Sequence, residues 1–254
     1  LSVGISRFQE SLEIEGTNVD AMTNLAIALA TQARICVQDY SIAPSLSINE
    51  RDRLYQAAYL VYQRAIHLVP TSIPIYYGWG NALFRHALAR REGPNPDDRI
   101  ALTTIFDAAS KYQAALVISE KEEAFFSRDV FINFGNVLML GAKLCFRLQL
   151  PFPNSFLSCC NCYLNMAEQP QLTESESSVI SQVLTAFKRY LPKEATGSVG
   201  ADAAGSTCKP RTDTTLTARA TSLLLSMGEQ DQDEAGGNAL SGSGGNSNYE
   251  QAAS

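Results

Sequence analysis

The chain has 254 residues, 45% of them hydrophobic and 18% charged, enough for one sizeable folded domain with a segment left outside it. Its net charge of -6 and pI near 5.0 argue against nucleic acid as a partner, because phosphate backbones are bound by a concentrated basic surface. Six Cys at irregular spacing read as reduced thiols rather than a disulfide framework. The first residue is Leu, not Met, which points to a fragment or a processed product and leaves the compartment open.

Residues 1–14 read as the second helix of a hairpin whose first helix lies upstream, with Ile5, Phe8, Leu12 and Ile14 on its apolar side. Gly16, Thr17 and Asn18 make a turn, and a helix follows from about Val19 to Val37. Its partner is expected from Ile48 to about Val69, with Ser47 as cap and Glu50 three residues later in capping-box position. Pro70 closes that helix, Ser72 caps the next, and Pro74 fits a first turn whose amides need no intrahelical partner. Tyr76, Trp79, Leu83 and Ala87 then share one side of a helix that runs to about Arg91.

Glu92 to Pro96 is a loop by composition, and Asp97 and Asp98 open a helix to about Ile118, where carboxylates meet the positive end of the dipole. Ser119 to Ala124 reads as a connector to a helix from Arg128 to Leu148. That helix lies in the most apolar stretch, Val130 to Leu150, but Lys143 and Arg147 interrupt the run of about 18 uncharged residues that a membrane span needs. Pro151 and Pro153 break the chain before a helix over 155–167. A last helix, from Thr173 to Leu191, carries Val179, Ile180, Val183, Leu184 and Phe187 at helical spacing. Beyond Pro192, Gly, Ser, Ala and Thr dominate, and residues 193–254 are expected to be disordered, with one short helix at 214–227 that is either transient or a docking motif.

Three copies of one pattern organise the chain. Phe8, Tyr62 and Tyr112 are each followed by Gln, then by a small residue and Leu or Ile; after a turn, Leu25, Trp79 and Phe134 precede Ala26, Gly80 and Gly135, with Leu29, Leu83 and Leu138 three residues on. The small residue belongs where two helices cross closely. This pattern resembles the tetratricopeptide repeat: Ala58, Tyr62, Ala65 and Pro70 fit its second helix and closing turn, and Tyr76, Trp79 and Gly80 fit the first helix of the next unit. A standard unit is about 34 residues, whereas the small residues here stand 54 and 55 apart (80 − 26 and 135 − 80), so helices and loops must be longer. The resemblance implies an all-α, right-handed superhelical solenoid of about three elongated hairpins over residues 1–192, closed by a capping helix.

In that family the first helices line a concave surface, and the position after the small residue points into it: here Ile27, Asn81 and Asn136. Chaperone-binding members hold a carboxylate with such an Asn and nearby Lys or Arg. This chain offers Tyr77 and Ile132 four residues before the Asn and Arg85 four after the first, so that clamp is incomplete. The resemblance implies an aromatic-lined groove built from Tyr77, Asn81, Phe84, Arg85, Asn136 and Met139. The alternative is that both Asn cap or cross-link neighbouring helices.

No catalytic set is expected. His67 and His86 have no Cys, His or carboxylate at metal spacing, and Gly78-Trp79-Gly80 sits inside a helix rather than in a phosphate loop. Cys159, Cys160 and Cys162, with Cys145 within reach, lack paired zinc-site spacing and read as core thiols. No cofactor or metal is implied. The function expected is a non-catalytic scaffold or adaptor that binds a protein segment, as one subunit of a larger assembly. The alternatives are an organelle-associated import or assembly factor tethered by its tail and, against the acidic balance, an RNA-binding helical repeat.

Overall fold

The structure is a computed structural model that describes residues 2–35, 44–92, 96–121, 128–168, 174–190, 216, 218–223 and 225. Eight helices carry the fold: α1 (Ser2–Ile14), α2 (Val19–Ile35), α3 (Pro44–Leu68), α4 (Ile73–Glu92), α5 (Asp98–Lys121), α6 (Arg128–Leu148), α7 (Asn154–Ala167) and α8 (Glu174–Tyr190). A short helical segment follows within 216–225. Among the described residues there is no strand.

The helix ends follow local chemistry. Asn18 Oδ1 accepts from the Ala21 amide at 2.9 Å, and Asp97 Oδ1 accepts from the Arg99 and Ile100 amides at 3.0 and 2.9 Å, filling first-turn donors that α2 and α5 cannot satisfy internally. At the end of α6, Gln149 takes a left-handed φ of 53°. Its amide and that of Leu150 turn back to the carbonyls of Phe146 and Cys145, a Schellman closure with Gln where Gly is usual. Pro153, extended at φ −63° and ψ 145°, precedes α7.

Three expectations are corrected. Helix α3 begins at Pro44 rather than near Ile48, so Ser47 lies within it and is not its cap. Ile14 does not join the apolar side of α1: it is 89% exposed at the helix end, while Ile5 is buried and Phe8 and Leu12 are half-buried against α2. The connector expected from Ser119 starts later, since α5 continues to Lys121.

From α1 to α7 each helix packs against the next, whereas α8 packs on α6. Helices two apart also touch: α2 with α4, α4 with α6, α6 with α8, and α5 with α7. Met22, Leu25, Ala26, Tyr62 and Ala65 fill one end of the interior, and Ile105, Tyr112, Phe134, Tyr163 and Phe187 the other. Tyr59 and Trp79 pack against both, so the interior is continuous from α1 to α8. Each fully buried aromatic contributes about 1.5–3 kcal/mol relative to exposure.

Close helix approach depends on the glycines that the repeat pattern singles out. A Cβ on Gly80 would stand 3.1 Å from the Tyr112 ring, and one on Gly135 would stand 2.6 Å from Tyr163 Oη. Tyr62, 1% exposed, stacks on Trp79 with centroids 6.2 Å apart and planes 11° from parallel. Residues 129–148, most of α6, are apolar and long enough to cross a membrane by length and composition, yet Phe131, Phe134, Val137, Leu138 and Leu144 are buried against neighbouring helices. Apart from the segment within 216–225, the tail expected to be disordered lies outside the described residues.

Candidate functional site

Spacing along α4 sets up the site. Tyr77, Asn81 and Arg85 recur every four residues and so share one face. Across from them α2 presents Ile27, Thr31 and Arg34 at spacings of four and three. Because α2 and α4 stand two apart in the stack and touch, these faces enclose a groove of about 520 Å³, with Tyr62 and Gly78 also in its walls and Pro74 lining it as well. Gly78 keeps it open: a Cβ there would lie 2.9 Å from Tyr62 Oη.

The groove is apolar with a cationic end. Ile27 is 46% exposed within it, and Arg34 and Arg85 are exposed. Among the described residues neither guanidinium pairs with a carboxylate, and both also line a smaller cavity of about 210 Å³ beside Tyr55 and Glu92. Asn81 serves two purposes. Its Oδ1 accepts from Tyr112 Oη at 2.6 Å and from Asn133 Nδ2 at 3.1 Å, and Asn133 Nδ2 also donates to Tyr77 Oη at 3.1 Å. These bonds tie α4 to α5 and α6 and fix the rotamers of Tyr77 and Asn81. Among the described residues Asn81 Nδ2 makes no hydrogen bond.

Of the residues expected in the groove, the fold gathers Tyr77, Asn81 and Arg85, together with Ile27. Phe84 is half-buried and packs into the main interior instead. Asn136 and Met139 are half-buried on α6 and do not line this groove. The cross-linking role weighed for the two Asn holds for Asn81; Asn136 makes no hydrogen bond among the described residues. Arg34 and Asn133 were missed. Arg34 was within reach of the same spacing argument, seven residues beyond Ile27, but only the α2–α4 contact brings it opposite Arg85.

A third cavity, polar and of about 380 Å³, opens between α3, α4 and α5. There His86 Nε2 donates to Asp52 Oδ1 at 3.0 Å, Tyr59 Oη donates to His86 Nδ1 at 2.9 Å, and Arg90 pairs with the other Asp52 oxygen. Asp52 lies 34 residues before His86 in the chain, beyond any metal spacing visible in sequence. Burial holds His86 below its usual pKa despite Asp52, and pushes Tyr59 up, away from an activated phenolate. Lys111 Nζ sits 4.1 Å above the Trp79 ring and joins α5 to α4.

Of the four thiols of the Cys cluster, only Cys162 is partly exposed. Cys145, Cys159 and Cys160 are buried, and burial pushes Cys145 to about 11, Cys159 to about 12 and Cys160 well up. Cys159 Sγ donates to Gln113 Oε1 at 3.2 Å. Among the described residues no three His, Cys, Asp or Glu side chains come together as metal ligands.

The chain matches no family model, no curated protein and no solved structure. The groove therefore has to be read from its own chemistry.

Proposed function

We propose that this protein is a non-catalytic scaffold of stacked helical hairpins, similar in plan to tetratricopeptide repeats, that binds an extended segment of a protein partner between α2 and α4. The observation that carries this reading is the α2–α4 groove itself, where Ile27, Tyr77, Asn81 and Arg85 meet Arg34 across about 520 Å³. Its apolar floor offers area to burial, the Asn81 amide offers donors to a peptide carbonyl, and the two guanidiniums, without a carboxylate partner among the described residues, offer charge to carboxylates. The favoured ligand is a segment that combines an apolar or aromatic side chain with acidic residues on one side of it. The contacts of α2, α4, α6 and α8 in succession and the shared interior support the repeat plan, and a superhelical twist of the stack belongs to the same proposal.

Selection of random peptides displayed on phage, followed by fluorescence anisotropy on the winners, tests this. Acidic–apolar peptides should be enriched, and Arg34→Glu with Arg85→Glu should weaken them roughly tenfold or more through like-charge repulsion. Asn81 is left intact in that variant because it also holds the fold together. If charge reversal and Ile27→Asp both leave binding unchanged, the groove assignment is wrong.

A further inference from the structure

Leu216, Ala220 and Leu223 stand four and three residues apart, the spacing of one helical face. Ala220 is fully buried in the main interior, and Leu216 and Leu223 pack against it. Arg219, on the flank of that stripe, donates through Nη1 to Asn161 Oδ1 at 3.1 Å, and through Nη2 to Asn165 Oδ1 at 2.9 Å and Glu168 Oε1 at 2.7 Å. Asn161, Asn165 and Glu168 are also four and three apart, so one exposed face along α7 and its end supplies all three acceptors. A planar donor fork matched by three acceptors in register, beside a buried apolar stripe, is how a short helix is recognised in a groove.

The connection matters as much as the contact. Consecutive helices from α1 to α8 are joined by four to eight residues, whereas 25 residues (191–215) separate Tyr190 from Leu216. The segment is therefore placed on α7 by its own recognition and not by a short tether.

We propose that the face carrying Asn161, Asn165 and Glu168 is a helix-binding site whose resident ligand is the chain's own helical segment carrying Leu216, Arg219, Ala220 and Leu223, held in cis and exchangeable for the same sequence supplied in trans. While that segment is seated, the face is withheld from any partner helix of the same pattern, one with an apolar stripe flanked by an arginine. The site is separate from the α2–α4 groove, and neither reading depends on the other.

The test uses the full chain and a fluorescent peptide of residues 214–227. A cis ligand acts at an effective concentration of about millimolar order, so wild type should bind the added peptide weakly. Arg219→Glu in the chain should empty the site and tighten binding of the wild-type peptide roughly tenfold or more. Adding Glu168→Arg to that chain should return binding to the weak level, by re-pairing in cis and by repelling the peptide's arginine. Leu223→Asp, which attacks the stripe and not the fork, should open the site in the same way as Arg219→Glu. If neither opened chain binds the peptide more tightly than wild type, the segment is a permanent strut and the proposal is overturned; a fall in the melting temperature of the whole domain in both variants would accompany that outcome.

Discussion

Gly135→Ala is the sharpest probe of how the helices meet. The new Cβ would stand 2.6 Å from Tyr163 Oη, closer than side-chain carbons approach other atoms, and 3.0 Å from Val183 Cγ2, tighter than most such contacts. Tyr163 has nowhere to go, because its ring stacks on Phe131 at 4.4 Å and meets Phe134 edge-on at 5.7 Å, and all three rings are buried. Overpacking of this kind costs about 1–3 kcal/mol, and the pinned ring places this site near the upper end. Replacing Gly by Ala inside a helix returns about 1 kcal/mol, which leaves a net loss of about 2 kcal/mol. For a domain of this size that is a fall of roughly 4–8 °C in Tm, read by circular dichroism and confirmed by urea melts. Tyr163→Phe removes the oxygen nearest the new methyl, so the cost of Gly135→Ala should be smaller in that background. Should Gly135→Ala match or exceed wild-type stability, helix propensity has won, and the close crossing of α6 beneath α7 that the repeat pattern rests on is not there.

Two further outcomes follow from buried groups. Burial lowers the pKa of His86, with Asp52, Arg51, Arg90, Tyr55 and Tyr59 around it, so below about pH 6.5 the unfolded chain takes up a proton that the folded chain resists. Its contribution to stability is therefore complete above the unfolded pKa and lost as pH falls towards the lower folded value. Urea melts between pH 7.5 and 5 should lose stability more steeply in wild type than in His86→Gln; equal slopes would refute the assignment. Cys145, Cys159 and Cys160, raised and buried, should resist a thiol reagent at pH 8 until the chain unfolds, with modified residues mapped by mass spectrometry. Labelling of the native protein at the unfolded rate would contradict the packing around α7.

The groove was half legible before the fold was known. Tyr77, Asn81 and Arg85 were recognisable because a period of four on one helix is a property of that helix alone. Phe84, one residue before Arg85, was expected there as part of an aromatic lining, but 100° of rotation turns its side chain into the interior. Asn136 was assigned by analogy of position within the repeat and Met139 with it, and neither lines the groove, which lies between α2 and α4. Asp52 and His86, Asn133 and Asn81, and Arg219 and α7 carried no signal at all, since each pair lies tens of residues apart.

By itself the sequence determined the eight helices, most of their ends and the small-residue crossings. Apolar periodicity, Pro and Asx punctuation and the absence of a Cβ act within a few residues and need no partner to be read. Tertiary structure alone decided which polar groups meet: Arg34 opposite Arg85, Asp52 on His86, and Arg219 on Asn161, Asn165 and Glu168. Those pairings depend on how one helix is rotated and shifted against another. That choice is made by side-chain volume summed over a whole interface, and no local pattern encodes it.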